Sequence, residues 1–325
     1  MRIAAFGAGL ALLLAGCSSG DGGSLFLDQQ PEATVATAPV VEATPAVSET
    51  PAPSPPELHV NSALAAPGSS LVVTVRNTDL GGMVHFNERQ YPLAHGDGLA
   101  WAVVGLGPDL PLGGHSLQVD LEDGNSFSST IEAGDAGYLV ENITLSGETS
   151  SLLTPDNAAL EAQKVSEAYA VYTPERLWAG PFMLPIDTYI TAGYGEARSY
   201  NGGPISSHHK GIDFGALEGT DVAAANSGRV IMAYPLPLSG NSVIIDHGLG
   251  VMTLYAHLVR IDVEEGQLVH KGDIVGGVGT TGISTGNHLH WGLLVHGVPV
   301  NPHQWIWTEV GPASPPGFEP ARPGR

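Results

Sequence analysis

The sequence predicts a mainly β protein with one connecting helix. The 325 residues include 43 Gly and 25 Pro, a composition that favours turns and short strands over long helices. Apolar and polar residues alternate in short runs such as Ser116–Leu121, and turn signals recur about every ten residues. Residues 158–172 run without Gly or Pro after a capping Thr154 and Pro155, and they carry the one good helix signal. We therefore expect an all-β chain in the main.

Residues 1–17 have the pattern of a signal peptide. The apolar stretch Ile3–Gly16 is too short to span a bilayer and is followed by Cys17. Leu14–Cys17 resembles the lipobox of bacterial lipoproteins, in which the cysteine is lipidated. Since Cys17 is the single cysteine, no internal disulfide can form. We expect export and attachment to a membrane through a lipid anchor at Cys17, on the extracytoplasmic side, in the periplasm or on an outer membrane.

The remaining chain divides into five segments. Residues 18–56 are rich in Pro, Ala and Thr and predict a disordered tether. Residues 57–145 predict an immunoglobulin-like antiparallel sandwich for spacing or docking. Residues 146–178 predict a helical connector, with Thr154 as cap and Pro155 in the first turn. Residues 179–310 are again strand-rich, and residues 311–325 predict a flexible tail. Strands in the sandwich are expected at Leu58–Val60, Ser70–Asn77, Gly82–Phe86, Trp101–Leu106, His115–Leu121, Ser126–Glu132 and Tyr138–Leu145.

A divided histidine motif in residues 179–310 predicts a metal site. His209 and Asp213 are four residues apart, and His288 and His290 follow some eighty residues later. Two imidazoles and one carboxylate form a ligand set suited to zinc with an open fourth position, as in hydrolases. His208 is a rival for His209, but only His209 has the four-residue spacing to Asp213.

Strand alternation assigns faces to these side chains. His288 and His290 are two residues apart, so they should share one sheet face while Leu289 points to the other. By the same rule Tyr255 and His257 should share a face, and His257 could supply a further imidazole.

Several other functions are disfavoured by the sequence. The formal net charge is −21 with only 12 Lys and Arg, which argues against nucleic acid as a partner. Gly277–Gly282 fits a dinucleotide-binding string and Gly282–Gly286 a nucleophile-elbow string, but no helix is expected after either. Both predict glycine-rich loops that shape the cleft. No His-Glu-x-x-His helix is present, which disfavours a thermolysin-like site.

Five ordered blocks resemble the lysostaphin-type, or LytM-like, zinc endopeptidases of peptidoglycan. The resemblance implies that His209, Asp213 and His290 bind the zinc ion and that His257 and His288 are catalytic imidazoles. Which of these two is the general base stays open. The chain departs from the family pattern at Asn287 and at Trp291-Gly292, without loss of a ligand. The blocks are His209–Phe214, Gly228–Val230, Val243–Gly248, Tyr255–Leu258 and Thr281–Trp291.

The resemblance implies an endopeptidase that hydrolyses stem peptides or cross-bridges of peptidoglycan during cell-wall remodelling. Two alternatives stay open: a non-catalytic regulator or wall-binding module that acts on other hydrolases, and a zinc amidase of peptidoglycan. Peptidoglycan is the expected partner, and the sequence identifies no envelope protein partner.

Overall fold

The computed structural model describes residues 53–313. The predicted signal peptide, Cys17, most of the tether and the tail from residue 314 onward lie outside the described residues. Among the residues described, 44% lie in strands and 9% in helices, which confirms the mainly β class. No helix in residues 53–313 is long and apolar enough to cross a membrane.

The first part of the described chain forms two β-sheets with a common core. One sheet has the order β1-β3-β7-β6 and the other β2-β9-β8-β4-β5. In β8 the apolar Leu117, Val119 and Leu121 are buried while Gln118 between them is exposed, as alternation requires. The strands are β1 (Glu57–Val60), β2 (Leu64–Ala65), β3 (Ser70–Arg76), β4 (Gly82–Phe86), β5 (Arg89–Pro92), β6 (Ala94–Gly96), β7 (Leu99–Gly105), β8 (Gly113–Leu121), β9 (Ser126–Ala133) and β10 (Val140–Ile143).

Strands appear at all seven predicted places, and three further strands were not predicted. The hairpin of β4 and β5 turns through Asn87 and Glu88, which both have positive φ, 47° and 62°. A tight turn of this kind usually carries Asn-Gly or Asp-Gly, so Asn-Glu gives no turn signal in the sequence. β2 and β6 are only two and three residues long and lack a readable alternation.

The predicted connector helix is present as α2 (Pro155–Tyr169). Its cap is the predicted one, since the Asn157 amide donates to Thr154 Oγ1 at 3.1 Å. It ends at Tyr169, inside the run without Gly or Pro that extends to Tyr172 in the sequence. Two short helices flank the main elements, α1 (Gly147–Ser150) and α3 (His303–Trp307).

A ten-stranded antiparallel sheet carries most of residues 190–300. Its main order is β11-β14-β21-β18-β17-β16-β19, with β15, β20 and β22 on side branches. β10 leaves the sandwich and pairs in parallel with β12, which in turn pairs with β13. The strands are β11 (Ile190–Ala192), β12 (Ala197–Tyr200), β13 (Ile205–His208), β14 (Ile212–Gly215), β15 (Asp221–Ala223), β16 (Gly228–Leu236), β17 (Gly240–Asp246), β18 (Val251–Ile261), β19 (Leu268–Val269), β20 (Ile274–Val278), β21 (His288–Val295) and β22 (Val298–Val300).

The sandwich packs directly on this sheet, and the described residues lie in one compact unit. A Cβ at Gly105 in β7 would lie 3.1 Å from side-chain atoms of Val298 and Val300, so glycine permits this close approach. The Gln304 side chain exchanges hydrogen bonds of 2.8 Å with the backbone of Ser70 in β3. The predicted domain boundaries at 145/146 and 178/179 stay predictions.

Candidate metal centre and active site

Three side chains from separate parts of the chain meet at one point of the large sheet. Asp213 on β14 lies opposite His290 on β21, and His209 stands in the loop before β14. His209 Nε2 lies 2.9 Å from Asp213 Oδ1 and 3.0 Å from His290 Nδ1, and the latter two atoms are 2.8 Å apart. The structure thus brings together the three residues that the resemblance implied as ligands.

Hydrogen bonds fix how these side chains face one another. His209 Nδ1 donates to the Gly193 carbonyl at 2.7 Å, which leaves Nε2 as the lone-pair nitrogen. Arg198 on β12 donates from Nη2 to the second oxygen of Asp213 at 2.9 Å. Arg198 is itself held through Nε by Glu141 on β10, also at 2.9 Å. Asp213 therefore presents a single free oxygen to the two imidazoles.

The electrostatics of the cluster suit a cation. Burial alone would raise the pKa of the Asp213 carboxyl, but the neighbouring His209 and His290 hold that pKa well below its usual value. Burial lowers the pKa of His290 to about 4, so its imidazole is neutral at neutral pH. One carboxylate oxygen and two imidazole nitrogens, all within 4.8 Å of one another, can bind a metal ion. The residues present therefore fit a metal centre.

Two further imidazoles lie beside the cluster. The ring centroid of His257 is 4.7 Å from that of His288 and 6.2 Å from that of His290. His257 Nδ1 donates to the Thr281 carbonyl and His288 Nδ1 to the Gly286 carbonyl, both at 2.8 Å. Each ring thus keeps Nε2 as its basic nitrogen. Burial first, and the neighbouring His288 second, lower the pKa of His257 to about 3.

Strand alternation is correct for β21 and wrong for β18. Leu289 is fully buried beneath the sheet while His288 and His290 share the opposite face, as predicted. Tyr255 is also fully buried, but His257 lies with the histidines of the other face. The reason is that His257 adopts a left-handed backbone with φ 62° beside register shifts in the pairing of β18. This conformation reverses the direction that alternation assigns to its side chain.

His208 does not join the cluster. Its Nδ1 lies 2.6 Å from Asp109 Oδ1, a carboxylate in the loop after β7 of the sandwich. The structure therefore separates His208 from His209, in agreement with the spacing argument.

A cleft of about 750 Å³ opens over the candidate ligands. Its walls come from the sandwich loop Gly105–Leu110, from the face of α2 that carries Glu161 and Val165, and from the sheet around His257 and His290. Gly277 and Val278 are the last residues of β20, and residues 279–287 form the loop to β21, so the first glycine-rich string lies only partly in a loop and no helix directly follows either string. Cleft residues supplied by the sandwich and by α2 carry no recognisable motif.

Sequence reasoning missed the charged side chains that support the site. Arg198 and Glu141 are 57 residues apart in the sequence and meet only because β10 pairs with β12. The one available signal was a charged residue between the small residues Ala197 and Ser199 in a short strand. That signal is too general to indicate a role.

Comparison with known proteins relates the second half of the chain to one family. Residues 207–302 match the model of Peptidase family M23. The chain is 46% identical over 93 residues to the peptidoglycan DD-endopeptidase ShyA of Vibrio cholerae serotype O1, covering 29% of this chain and 22% of that protein. It is 46% identical over 94 residues to the DD-carboxypeptidase/endopeptidase Mpg of Neisseria meningitidis serogroup B, with the same coverage of 29% and 22%.

The match spans about a fifth of the length of these curated relatives. A solved structure assigned to peptidase M23 from Pseudomonas aeruginosa is similar over more of the chain. It covers 74% of this chain and 94% of its own, with a TM-score of 0.57 and 24% identity. This likeness shows a shared fold over about three quarters of the chain.

Proposed function

We propose that this chain, which carries a domain of peptidase family M23, is a zinc-dependent endopeptidase that hydrolyses peptide bonds of peptidoglycan stem peptides or cross-bridges in cell-wall remodelling. The observation that carries the proposal is the cluster of His209, Asp213 and His290, with two further imidazoles beside it in an open cleft. The names of the matched relatives support peptidoglycan as the substrate.

His209 Nε2, Asp213 Oδ1 and His290 Nδ1 would hold the zinc ion. Zinc bound there acidifies a water molecule and polarises a carbonyl group. With zinc bound, the single negative charge of Asp213 would only partly offset the charge of the ion, so the site would be positive overall. Arg198 keeps the Asp213 carboxylate in one orientation.

His257 and His288 supply the proton chemistry of the proposed reaction. Because each donates its Nδ1 hydrogen to a backbone carbonyl, each accepts a proton at Nε2. The imidazole that takes the proton of the attacking group becomes a donor at the same atom and can protonate the departing amine. The other imidazole lies on the same sheet face and can stabilise negative charge that develops on the carbonyl oxygen when its own Nε2 carries a proton and donates. The assignment of the two roles stays open.

The test is digestion of intact peptidoglycan sacculi by the purified full chain, with and without a chelator. We expect soluble fragments whose mass spectra show newly formed peptide termini, and no release with the chelator. His290→Ala should abolish release, and His257→Ala should lower the rate by about a hundredfold or more. His270→Ala is the matched control, since His270 is an exposed histidine that pairs with Asp273 and does not line the cleft.

Other outcomes would contradict the proposal in different ways. Stem peptides cut from the sugar, with no internal peptide cleavage, would identify an amidase. Binding to sacculi with no fragments from the zinc-loaded chain would identify a non-catalytic module.

We also propose that the chain is held at the cell envelope by a lipid on Cys17. Support comes from Leu14–Cys17 and the preceding apolar segment. Expressed in a bacterium, the chain should partition into the detergent phase of a phase-separating detergent, and Cys17→Ser should move it to the aqueous phase. Aqueous partitioning of both forms would contradict the anchor.

A further inference from the structure

His257 holds a backbone conformation that needs support from its neighbours. Its φ of 62° lies in the left-handed region, which costs a residue with a Cβ atom about 1 kcal/mol. This conformation is what turns the imidazole to the face of His288 and His290. Without contacts that favour it, the chain would relax toward extended strand geometry and His257 would point away from the cleft.

The support comes from the loop between β16 and β17. The His257 amide donates to the Ser239 carbonyl at 2.9 Å. In the same loop the Leu238 carbonyl accepts from the Ile283 amide at 2.6 Å, in the segment that leads to His288. The loop from Leu238 to Gly240 therefore braces the backbone near both candidate catalytic histidines.

The two loops interlock closely. A Cβ at Gly240 would lie 2.2 Å from Thr281 Oγ1, and one at Gly282 would lie 2.3 Å from the Leu238 carbonyl oxygen. Both glycines also have positive φ, 64° and 72°. Because neither loop has room to move independently, a displacement of one is passed to the other, and Thr281 is the residue whose carbonyl holds His257 Nδ1.

A carboxylate from α2 holds this loop in place. Glu161 accepts hydrogen bonds from the Leu238 amide at 2.6 Å, the Ser239 amide at 3.1 Å and the Ser239 hydroxyl at 2.5 Å. These are charge-assisted hydrogen bonds, stronger than those between neutral groups. Glu161 itself precedes the family match at residues 207–302, so it reaches the site from a different part of the chain.

We infer that Glu161 is a positioning residue of the catalytic site, which acts through the Leu238–Gly240 loop to hold His257 in its left-handed conformation and toward the cleft. The inference rests on the proposed function, in which His257 carries out proton chemistry. α2 is thereby a part of the active site as well as the connector that the sequence predicted.

The experiment measures kcat, KM and zinc affinity of the full chain, with a soluble cross-linked peptide fragment of peptidoglycan as substrate. Glu161→Gln should lower kcat about tenfold, the effect of losing about 1.4 kcal/mol of transition-state stabilisation. Zinc affinity should stay within about twofold, because the hydrogen bonds of Glu161 go to Leu238 and Ser239 and not to a metal ligand. The fall in kcat should exceed any change in KM, because the positioning of His257 acts on the chemical step. Glu161→Asp, which keeps the charge, should recover part of kcat.

Two control variants separate positioning from general damage to the helix. Glu167→Gln makes the same chemical change on α2, at an exposed residue that binds only Gln163 and Lys164. Thr154→Ala weakens the cap of α2 without touching the loop. Both should keep the kcat of the unchanged chain. An equal fall of kcat in Thr154→Ala would assign the effect to helix stability and overturn the inference.

A second variant covers the case in which Glu161→Gln does not fold. Ser239→Ala removes one of the three hydrogen bonds to Glu161. It should lower kcat about threefold, less than the tenfold fall expected for Glu161→Gln, because the other two hydrogen bonds remain. The inference would be overturned if Ser239→Ala and any folded Glu161→Gln kept the kcat of the unchanged chain while His257→Ala lost most of it. The proposed role of His257 would then still stand. Full activity of His257→Ala would instead contradict the proposed role of His257.

Discussion

One oxygen of Asp213 lies among the imidazole nitrogens, and the other accepts a hydrogen bond from Arg198. Because Arg198 is held in turn by Glu141, the carboxylate cannot rotate to offer both oxygens to a metal ion. Second partners of this kind orient metal ligands, and their loss usually lowers metal affinity.

We therefore expect Arg198→Met to lower zinc affinity about 10- to 100-fold. Arg198→Lys should be intermediate, since lysine keeps the charge but cannot bind Asp213 and Glu141 with a planar fork. Competition with a chromophoric chelator measures the affinity. The control is Arg260→Met, which removes an arginine paired with Asp221 and Asp262 at the surface. Equal affinity in Arg198→Met and the unchanged chain would contradict the positioning role of Arg198.

His247 predicts how stability depends on pH. Its imidazole is fully buried, donating to the Ser227 carbonyl at 2.7 Å and lying 2.8 Å from the Thr253 hydroxyl. Burial lowers the pKa of His247 from 6.5 to about 4. The unfolded chain therefore binds this proton at higher pH than the folded chain, and the free energy of unfolding falls as pH drops from about 6.5 to about 4.

The loss from His247 should reach about 3 kcal/mol at the lower end of that range. Urea unfolding at several pH values, with a chelator present, measures it. His247→Gln should lower stability at pH 7 and also reduce the slope between pH 6.5 and 4. An unchanged slope would show that His247 does not titrate in this range.

At the scale of the residue, the sequence predicted the metal cluster and missed its supports. Spacing pairs His209 with Asp213, and strand alternation places His288 and His290 on one face. The choice of His290 rather than His288 as the third ligand rests on the resemblance to the lysostaphin-type family. Arg198 reaches Asp213 only after β12 and β14 have folded around it, which no spacing rule expresses.

α2 is the element on which local and tertiary effects can be separated. Its cap and first-turn proline are local signals, and they predicted its start correctly. Its buried Ala168 packs against the outer face of the large sheet with Met232, Met252 and Leu294. Leu294 and His290 lie on the same face of the sheet along β21, so α2 packs on the face that carries the candidate site and lines one end of the cleft.

Thr154→Ala should lower the free energy of unfolding by about 1 kcal/mol, since the Asn157 amide loses its acceptor. Thr154→Ser should restore most of the stability because it keeps the hydroxyl. Denaturant unfolding followed by circular dichroism gives both values. If Thr154→Ala were as stable as the unchanged chain, the cap would contribute nothing.

β18 shows where pattern reading fails at the scale of the element. Alternation assumes extended backbone at every residue, and His257 breaks that assumption without the Gly or Asn that usually marks a left-handed residue. The contacts that stabilise the exception come from Ser239 and Thr281, which lie on other parts of the chain.

In the whole molecule, the sandwich and the large sheet share one hydrophobic core. Arg176 stacks on Trp178, with its guanidinium carbon 4.6 Å from the ring centroid, and Trp178 contacts Trp101 of β7 edge to face. The sequence predicted both β regions but not this contact, since alternation reports which residues are buried and not what they are buried against.

We expect residues 53–313 to unfold in a single cooperative transition. Tryptophan fluorescence, to which Trp101 and Trp178 at the junction contribute together with three other tryptophans, should coincide with far-ultraviolet circular dichroism across a urea titration. Gly105→Val should lower the midpoint of both signals together, because its side chain would collide with Val298 and Val300. Two separated transitions would show that the sandwich and the large sheet are independent.

The pairing of β10 with β12 has a consequence for anyone who transplants this catalytic module. A graft of residues 207–302 into a new host protein would carry all three candidate metal ligands and both neighbouring imidazoles. It would leave behind Arg198, Glu141 and Glu161, which orient them from outside that range. A working chimera should therefore begin before Val140, so that the donor segment brings its own scaffolding.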